Sequence, residues 1–369
     1  MADFENGNVL IFTFEDLKSF TNNFNGNNLI GITQSGRFYR GQLRPPWLAA
    51  IITETRIVTV KIWDQKQELE KEKVNQLYFQ EELKLITHQS LRNNPSLAKL
   101  IGYCCEDGVK GFVYDLNPLG LLQNLMARDD RINWFQRVDV ILELARLLDF
   151  IHSQENQSLG FHFSASNILL DWVSCLLTLN NEELSHESST LLICSFQQDC
   201  KPKLCRFKPI SDDRMNADLY KLSKFTQLPS GYFHPSIRGE SEGKVNSDVY
   251  SLGEILLGLI AKRDVEPQNL EKQNHQEFVN SSVSIWAKNE YRPNVSLVHE
   301  SLQKDWGYST EEGIKLTELA MHSIEFFPRN RPSIKQILQH LEALQVTRRL
   351  SDDRPRKKER KLPSSSVGM

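Results

Sequence analysis

The chain has 369 residues, 40% of them apolar, which is enough for two lobes or domains around a sizeable core. Its 44 basic side chains nearly balance 47 acidic ones, so no global field holds nucleic acid or an anionic membrane, and any such contact has to be local. Near the start, NVLIF (8–12) is far too short for a signal or a membrane span, and Ala2 leaves no glycine to myristoylate, which predicts an intracellular protein without a transmembrane segment.

No repeat of solenoid period is present, and the first hundred residues read as strand-rich with one interrupting helix. RIVTVKIW (56–63) alternates β-branched and apolar residues as a strand does. QELEKEKVNQLYFQEELKLITHQ (67–89) sets charged and apolar positions at helical spacing. LAKLIGYCCEDGVKGFVYDL (97–116) is a second strand group that turns at Asp107-Gly108. Beyond Pro118 the pattern becomes helical: NWFQRVDVILELARLLDFIHS (133–153) carries an i, i+3, i+4, i+7 apolar stripe. Further helices are expected at about 245–262, 311–325 and 333–345, the last started by Pro332-Ser333.

Between Asp171 and Lys201, an Asn/Glu/Ser-rich stretch exceeds the usual connection length and reads as an insertion at about 172–201. After Leu350 the charged, Ser- and Pro-rich end lacks apolar periodicity and is expected to be disordered. Its RPRKKERK core is either a plain solvated tail or a patch for nuclear import or anionic lipid. The six cysteines, at 104, 105, 175, 194, 200 and 205, have neither C-x-x-C spacing nor accompanying histidines, which predicts reduced thiols and no metal site.

From Phe12 to about Leu344 the sequence resembles a plant receptor-like kinase domain. FTFEDLKSFTNNF (12–24) is similar to the segment that precedes that domain, and GKVNSDVYSLGEILLGLI (243–260) to its central buried helix. Without an ectodomain or a span, the nearer likeness is to receptor-like cytoplasmic kinases. The resemblance implies an α+β, bilobal protein-kinase-like fold with a small β-rich N-lobe, one main helix in it, and a larger, mainly helical C-lobe. It divides the chain into an N-terminal extension (1–26), N-lobe (27–115), C-lobe with its insertion (116–346) and a basic tail (347–369).

The family's working parts fare unequally. Lys61 of VTVK and Glu82 of FQEELKLI match the lysine that pairs nucleotide phosphates and its helix partner, a pair that serves nucleotide or only orients the lobe. The glycine-rich loop reads GITQSGRFYRG: Gly31 and Gly36 stand, but Thr33 replaces the middle glycine and crowds the approach to phosphate. Phe38 occupies the place of a valine over the adenine and Thr59 that of an alanine behind it, so that Phe38 either fills the base pocket or swings out.

Aligned on Asn167, GFHFSASN (160–167) lies over the catalytic loop, with Gly160 for its histidine, Phe161 for its arginine, His162 for its aspartate and Ser164 for its lysine; Leu169 keeps the pocket floor. His162 is either a packed side chain or an alternative base. In PKLCRFKP (202–209), Arg206 replaces the magnesium-binding aspartate, Phe207 keeps the phenylalanine and Lys208 replaces the glycine. Magnesium requires oxygen donors, and at an effective dielectric of ~20 a unit charge about 4 Å away is worth ~4 kcal/mol, here repulsive. Arg206 either joins Lys61 as a metal-free phosphate site or latches onto Glu82.

Downstream, Pro229 stands near the usual threonine, and Ser236 where a glutamate would brace Arg331; Asp248 and Trp286 of the helical lobe's core are kept. Ser211, Tyr220, Ser223, Thr226 and Ser230 are candidate modification sites. The degenerate positions His162, Ser164 and Arg206 imply no catalytic residues, while Lys61, Glu82, Gly31, Gly36 and Asn167 mark a vestigial nucleotide cleft.

The expectation is a pseudokinase, an adaptor, decoy or scaffold in plant signalling and immunity, with no cofactor, or ATP bound without metal. The alternative is a divergent serine/threonine kinase that retains weak transfer. By family analogy the partners are an active receptor-like cytoplasmic kinase, a nucleotide-binding leucine-rich-repeat immune receptor and a pathogen effector, with no nucleic acid. The expected location is the cytoplasm, with recruitment to the plasma membrane or, through the tail, the nucleus as alternatives.

Overall fold

RIVTVKIW folds as the strand its alternation predicts, β4 (Arg56–Trp63), in a computed structural model that describes residues 9–33, 36–43, 55–63, much of 76–91, 94–106, 108–128, 131–153, 160–161, 163–173, 199–205, 209–210, 243–263 and 282–347. It lies inside a six-stranded sheet with β1 (Leu10–Ile11), β2 (Leu29–Thr33), β3 (Gly36–Leu43), β5 (Leu100–Glu106) and β6 (Val109–Tyr114), in the order β1-β5-β6-β4-β3-β2. All neighbours are antiparallel except β1, which runs parallel to β5 through Leu10 opposite Gly102. Between β5 and β6, Gly108 takes φ +77, a conformation glycine adopts without steric cost, as the expected hairpin turn requires; Asp107 lies outside the described residues.

Two cores sandwich this sheet. On its outer face Phe12, Leu17, Phe20, Val58, Val60, Ile101, Cys104 and Val113 pack together. Leu17 and Phe20 come from α1 (Phe14–Thr21), which opens on a capping box, Asp16 N–H donating to Thr13 Oγ1 (3.2 Å) and Thr13 N–H to Asp16 Oδ2 (2.8 Å), and ends on left-handed Asn22. The small lobe thus has a second helix beside the one expected. Residues 10–21, read from sequence as extension, are built onto the sheet, because a two-residue strand and an eight-residue helix carry too little periodicity to be seen. On the inner face, Trp63, Phe79 and Phe112 join the larger cluster; Phe79 belongs to α2, whose described helical residues fall between 76 and 86. That helix gives way to a turn at Thr87, short of the expected position 89.

The pleat of β5 sets its cysteines apart. Cys104 faces the outer core and Cys105 faces solvent. Burial pushes the Cys104 thiol up to about 11, so the reactive thiolate is scarce at ordinary pH. Iodoacetamide at pH 8 followed by peptide mass spectrometry is expected to label Cys105 and spare Cys104; equal labelling would contradict the register.

The large lobe begins with β7 (Pro118–Leu121), which pairs with β9 (Ile168–Val173), itself paired with β10 (Asp199–Leu204). Val173 lies opposite Asp199, so both ends of the expected insertion are hairpin arms, and only residues 174–198, outside the described residues, separate them. Behind this sheet stand α3 (Leu122–Arg128), α4 (Trp134–Ser153), α5 (Gly243–Ala261), α6 (Val283–Glu290), α7 (Thr310–Ser323) and α8 (Ile334–Ala343). The four expected helices are present; α3 and α6 are additions of seven and eight residues. Ser333 caps α8 in a box with Gln336, at the predicted start.

Arg137 of α4 is almost fully buried and donates to three carbonyls, of Met126 (2.7 Å), Ile132 (2.9 Å) and Leu259 (2.7 Å), tying α3, α4 and α5 together. Asp248 of α5 is buried as expected, 2.9 Å from His152 Nε2. Trp286 departs from expectation: it is half-buried against the edge of the core, where the guanidinium of Arg263 stacks on its ring at 4.0 Å. Its indole is large enough to cover that edge while remaining partly wet. Among the described residues no helix is long and apolar enough to cross a membrane.

Candidate functional site

Strand β4 and helix α2 bring Lys61 and Glu82 together beneath the sheet. Lys61 Nζ lies 2.7 Å from Glu82 Oε1 and 3.0 Å from Oε2, with the lysine side chain 0% and the glutamate 1% exposed. The ammonium also lies 4.0 Å from the centroid of Trp63 and 5.8 Å from those of Phe38 and Phe112, so aromatic rings make up part of its surroundings. Tyr114 closes the group, donating to the Cys205 carbonyl (2.8 Å) with its hydroxyl 3.4 Å from Glu82 Oε1. Sequence reading missed Tyr114; its only local signal is an aromatic with a polar tip at the end of a buried strand.

The choice left open for Phe38 is resolved. It points inward, 1% exposed, opposite Lys61 on the neighbouring strand, within the apolar cluster that continues through Leu121, Leu169 and Leu170 into the helical lobe. Thr59 behind it is fully buried and donates its hydroxyl to the Leu116 carbonyl (2.9 Å). The glycines work at close range. A Cβ on Gly31 would meet Leu121 Cδ1 at 2.4 Å, so this part of the hairpin rests on β7; one on Gly36, at φ +146, would meet the Ile62 carbonyl at 1.9 Å. Thr33 Oγ1 donates to the Gly36 carbonyl (3.0 Å), spanning its own turn.

On the opposite wall, Ser164 Oγ accepts from Ser166 N–H (3.2 Å) and caps the short 3-10 turn Ala165–Asn167. The residue in the lysine's place is therefore a buried cap with no charge. Asn167 is buried, and its carbonyl accepts from Cys205 N–H (2.9 Å) and Cys205 Sγ (3.0 Å), which joins this turn to the end of β10. The backbones of β8 (Gly160–Phe161) and β11 (Pro209–Ile210) pair. His162, Arg206, Phe207 and Lys208 lie outside the described residues, as do Ser211, Tyr220, Ser223, Thr226, Pro229, Ser230 and Ser236. Among the described residues, Tyr114 and Cys205 link the Lys61–Glu82 pair to Asn167 and its Ser164-capped turn, while Gly31 packs on Leu121 and Gly36 on Ile62.

Arg331, which the family's glutamate would brace, donates from Nε to the Glu325 carbonyl (2.8 Å) and from a terminal nitrogen to that of Phe326 (3.3 Å), with its guanidinium 4.9 Å from the Tyr250 ring centre. Burial lowers the pKa of Arg331 from its usual value and drives that of the Tyr250 phenol well above its own.

Residues 24–341 match the family described as protein tyrosine and serine/threonine kinase. The chain is similar to the serine/threonine-protein kinase BIK1 of Arabidopsis thaliana, 29% identical over 349 residues covering 91% of this chain and 76% of that protein. It is likewise similar to the probable serine/threonine-protein kinase PBL10 of the same plant, at 27% over 346 residues, 92% of this chain and 74% of that one. Receptor-like cytoplasmic kinase 176 of Oryza sativa subsp. japonica is 26% identical over 351 residues, 92% of this chain and 78% of that one.

Proposed function

The chain belongs to the protein tyrosine and serine/threonine kinase family, and on that premise we propose that it is a pseudokinase, an adaptor or scaffold that offers the kinase shape to protein partners and transfers no phosphate. The observation that carries this reading is the sealed Lys61 ammonium. A group meant to hold phosphate is wholly withdrawn from solvent, neutralised by Glu82 and enclosed by Phe38, Trp63 and Phe112. The donor set agrees with it. His162 and Arg206 stand where the family has two aspartates, and a guanidinium supplies no oxygen to magnesium. These residues do not fit a magnesium nucleotide.

By the same family analogy, the partners are an active receptor-like cytoplasmic kinase and a nucleotide-binding leucine-rich-repeat immune receptor, with a pathogen effector as a third, in the plant cytoplasm or at the plasma membrane.

A second reading, a divergent serine/threonine kinase, is supported by the names of the relatives, which are kinases, by the intact Lys61–Glu82 pair and by the retained Asn167. The relatives and these retained residues favour this reading, and the enclosure of Lys61 with the residues at positions 162 and 206 favours the first. Thermal-shift titration with ATP, with and without magnesium or manganese, separates them, since only a ligand that binds the folded state raises its stability. The pseudokinase is expected to show no metal-dependent shift and no phosphate transfer to a generic protein substrate. Metal-dependent protection together with transfer that disappears in His162→Ala would establish the second reading instead.

A further inference from the structure

The connection from β6 to β7 carries the chain from the small sheet to the large lobe through residues 115–117. Each residue from 115 to 118 is held by a side chain from β3 or β4. Arg56 forks onto the Asp115 carboxylate, its Nε donating to Oδ1 at 2.8 Å and a terminal nitrogen to Oδ2. Thr59 Oγ1 donates to the Leu116 carbonyl at 2.9 Å. Arg40 Nε donates to Asn117 Oδ1 (3.1 Å), and its terminal nitrogen to the Pro118 carbonyl (3.1 Å). Arg40 and Thr59 are direct cross-strand partners, so two of the three arms share one rung of the sheet.

We propose that Arg40, Arg56 and Thr59 form a clamp that fixes the angle between the lobes, so that the lobes move as one body and the cleft stays closed over Phe38 and Lys61. A connector between two lobes bends by rotating its own φ and ψ, and a hinge is usually a few such residues left free to do so. Here rotation at residues 115–118 breaks a hydrogen bond at every step, and at 115, 117 and 118 that bond comes from a guanidinium of fixed geometry. Leu121, the last residue of β7, is the one on which Gly31 rests, so a small angular change would also lift the β2–β3 hairpin from its seat. The clamp depends on the fold alone and stands whether or not the cleft transfers phosphate.

The test is hydrogen–deuterium exchange on the full chain. Thr59→Val keeps the shape and removes the hydroxyl, and Arg40→Met keeps the stem and removes the fork. The double variant is expected to exchange the amides of residues 115–121 at least about ten-fold faster than the parent, with α5 unchanged. Thr59→Ser, which retains the donor, is expected to keep parental protection. Exchange at 115–121 equal to the parent would overturn the clamp. Acceleration spread equally over α5 would overturn it too, because the side chains would then support the whole fold rather than the angle between its lobes.

Discussion

Lys61→Met is expected to destabilise the protein by about 3 kcal/mol or more, measured by urea unfolding followed through tryptophan fluorescence. Removing the ammonium takes from the buried Glu82 carboxylate an ion partner at 2.7 Å, and breaking a buried pair at one end costs far more than the pair was worth. The loss also takes a cation from the faces of Trp63, Phe38 and Phe112. Lys61→Met combined with Glu82→Leu is expected to recover most of the stability, since two apolar side chains of similar volume suit this aromatic surround. A Lys61→Met protein as stable as the parent would mean that water or another group compensates Glu82.

Arg137→Ala is expected to cost about 5 kcal/mol or more, because it opens a cavity at a fully packed position and takes a donor from three carbonyls, each worth roughly 1–3 kcal/mol when left unsatisfied. The three carbonyls belong to Met126, Ile132 and Leu259, spread over α3, the turn before α4, and α5. The donating Nε and Nη1 sit apart on a planar guanidinium, and a single ammonium nitrogen cannot take both places, so Arg137→Lys is expected to recover little. Thermal melts of the two variants decide the point: a lysine variant melting with the parent would show that charge rather than the fork holds the helices.

Much of the scaffold is readable from residue pattern because its signals are local. β4 lies where alternation places it, α4 follows its apolar stripe, and Ser333 with Gln336 opens α8. α1 is missed because eight residues give barely two turns of periodicity, and its anchorage on the sheet comes from neighbours far along the chain. Lys61 and Glu82 are legible as a pair through their motifs, yet their enclosure is not. It depends on the direction taken by Phe38 and on Phe112, fifty-one positions beyond Lys61. The clamp left no mark in the sequence: the bonds of Arg40 to Asn117 and Pro118 join residues 77 and 78 positions apart, and surface arginines are too common to signal such a role. Trp286 shows the opposite error, a residue assigned to the core by the family resemblance and settled at the rim.

The β9–β10 hairpin has a bearing on how this protein can be altered. Val173 and Asp199 face each other across an antiparallel rung, so the fold already holds the two ends together, whatever length of chain runs from one to the other. Each doubling of a loop adds only about 0.6 kcal/mol of closure entropy. That makes this rung a natural splice point, where cargo such as a reporter peptide or a second folded module can be inserted between its two ends at little entropic expense.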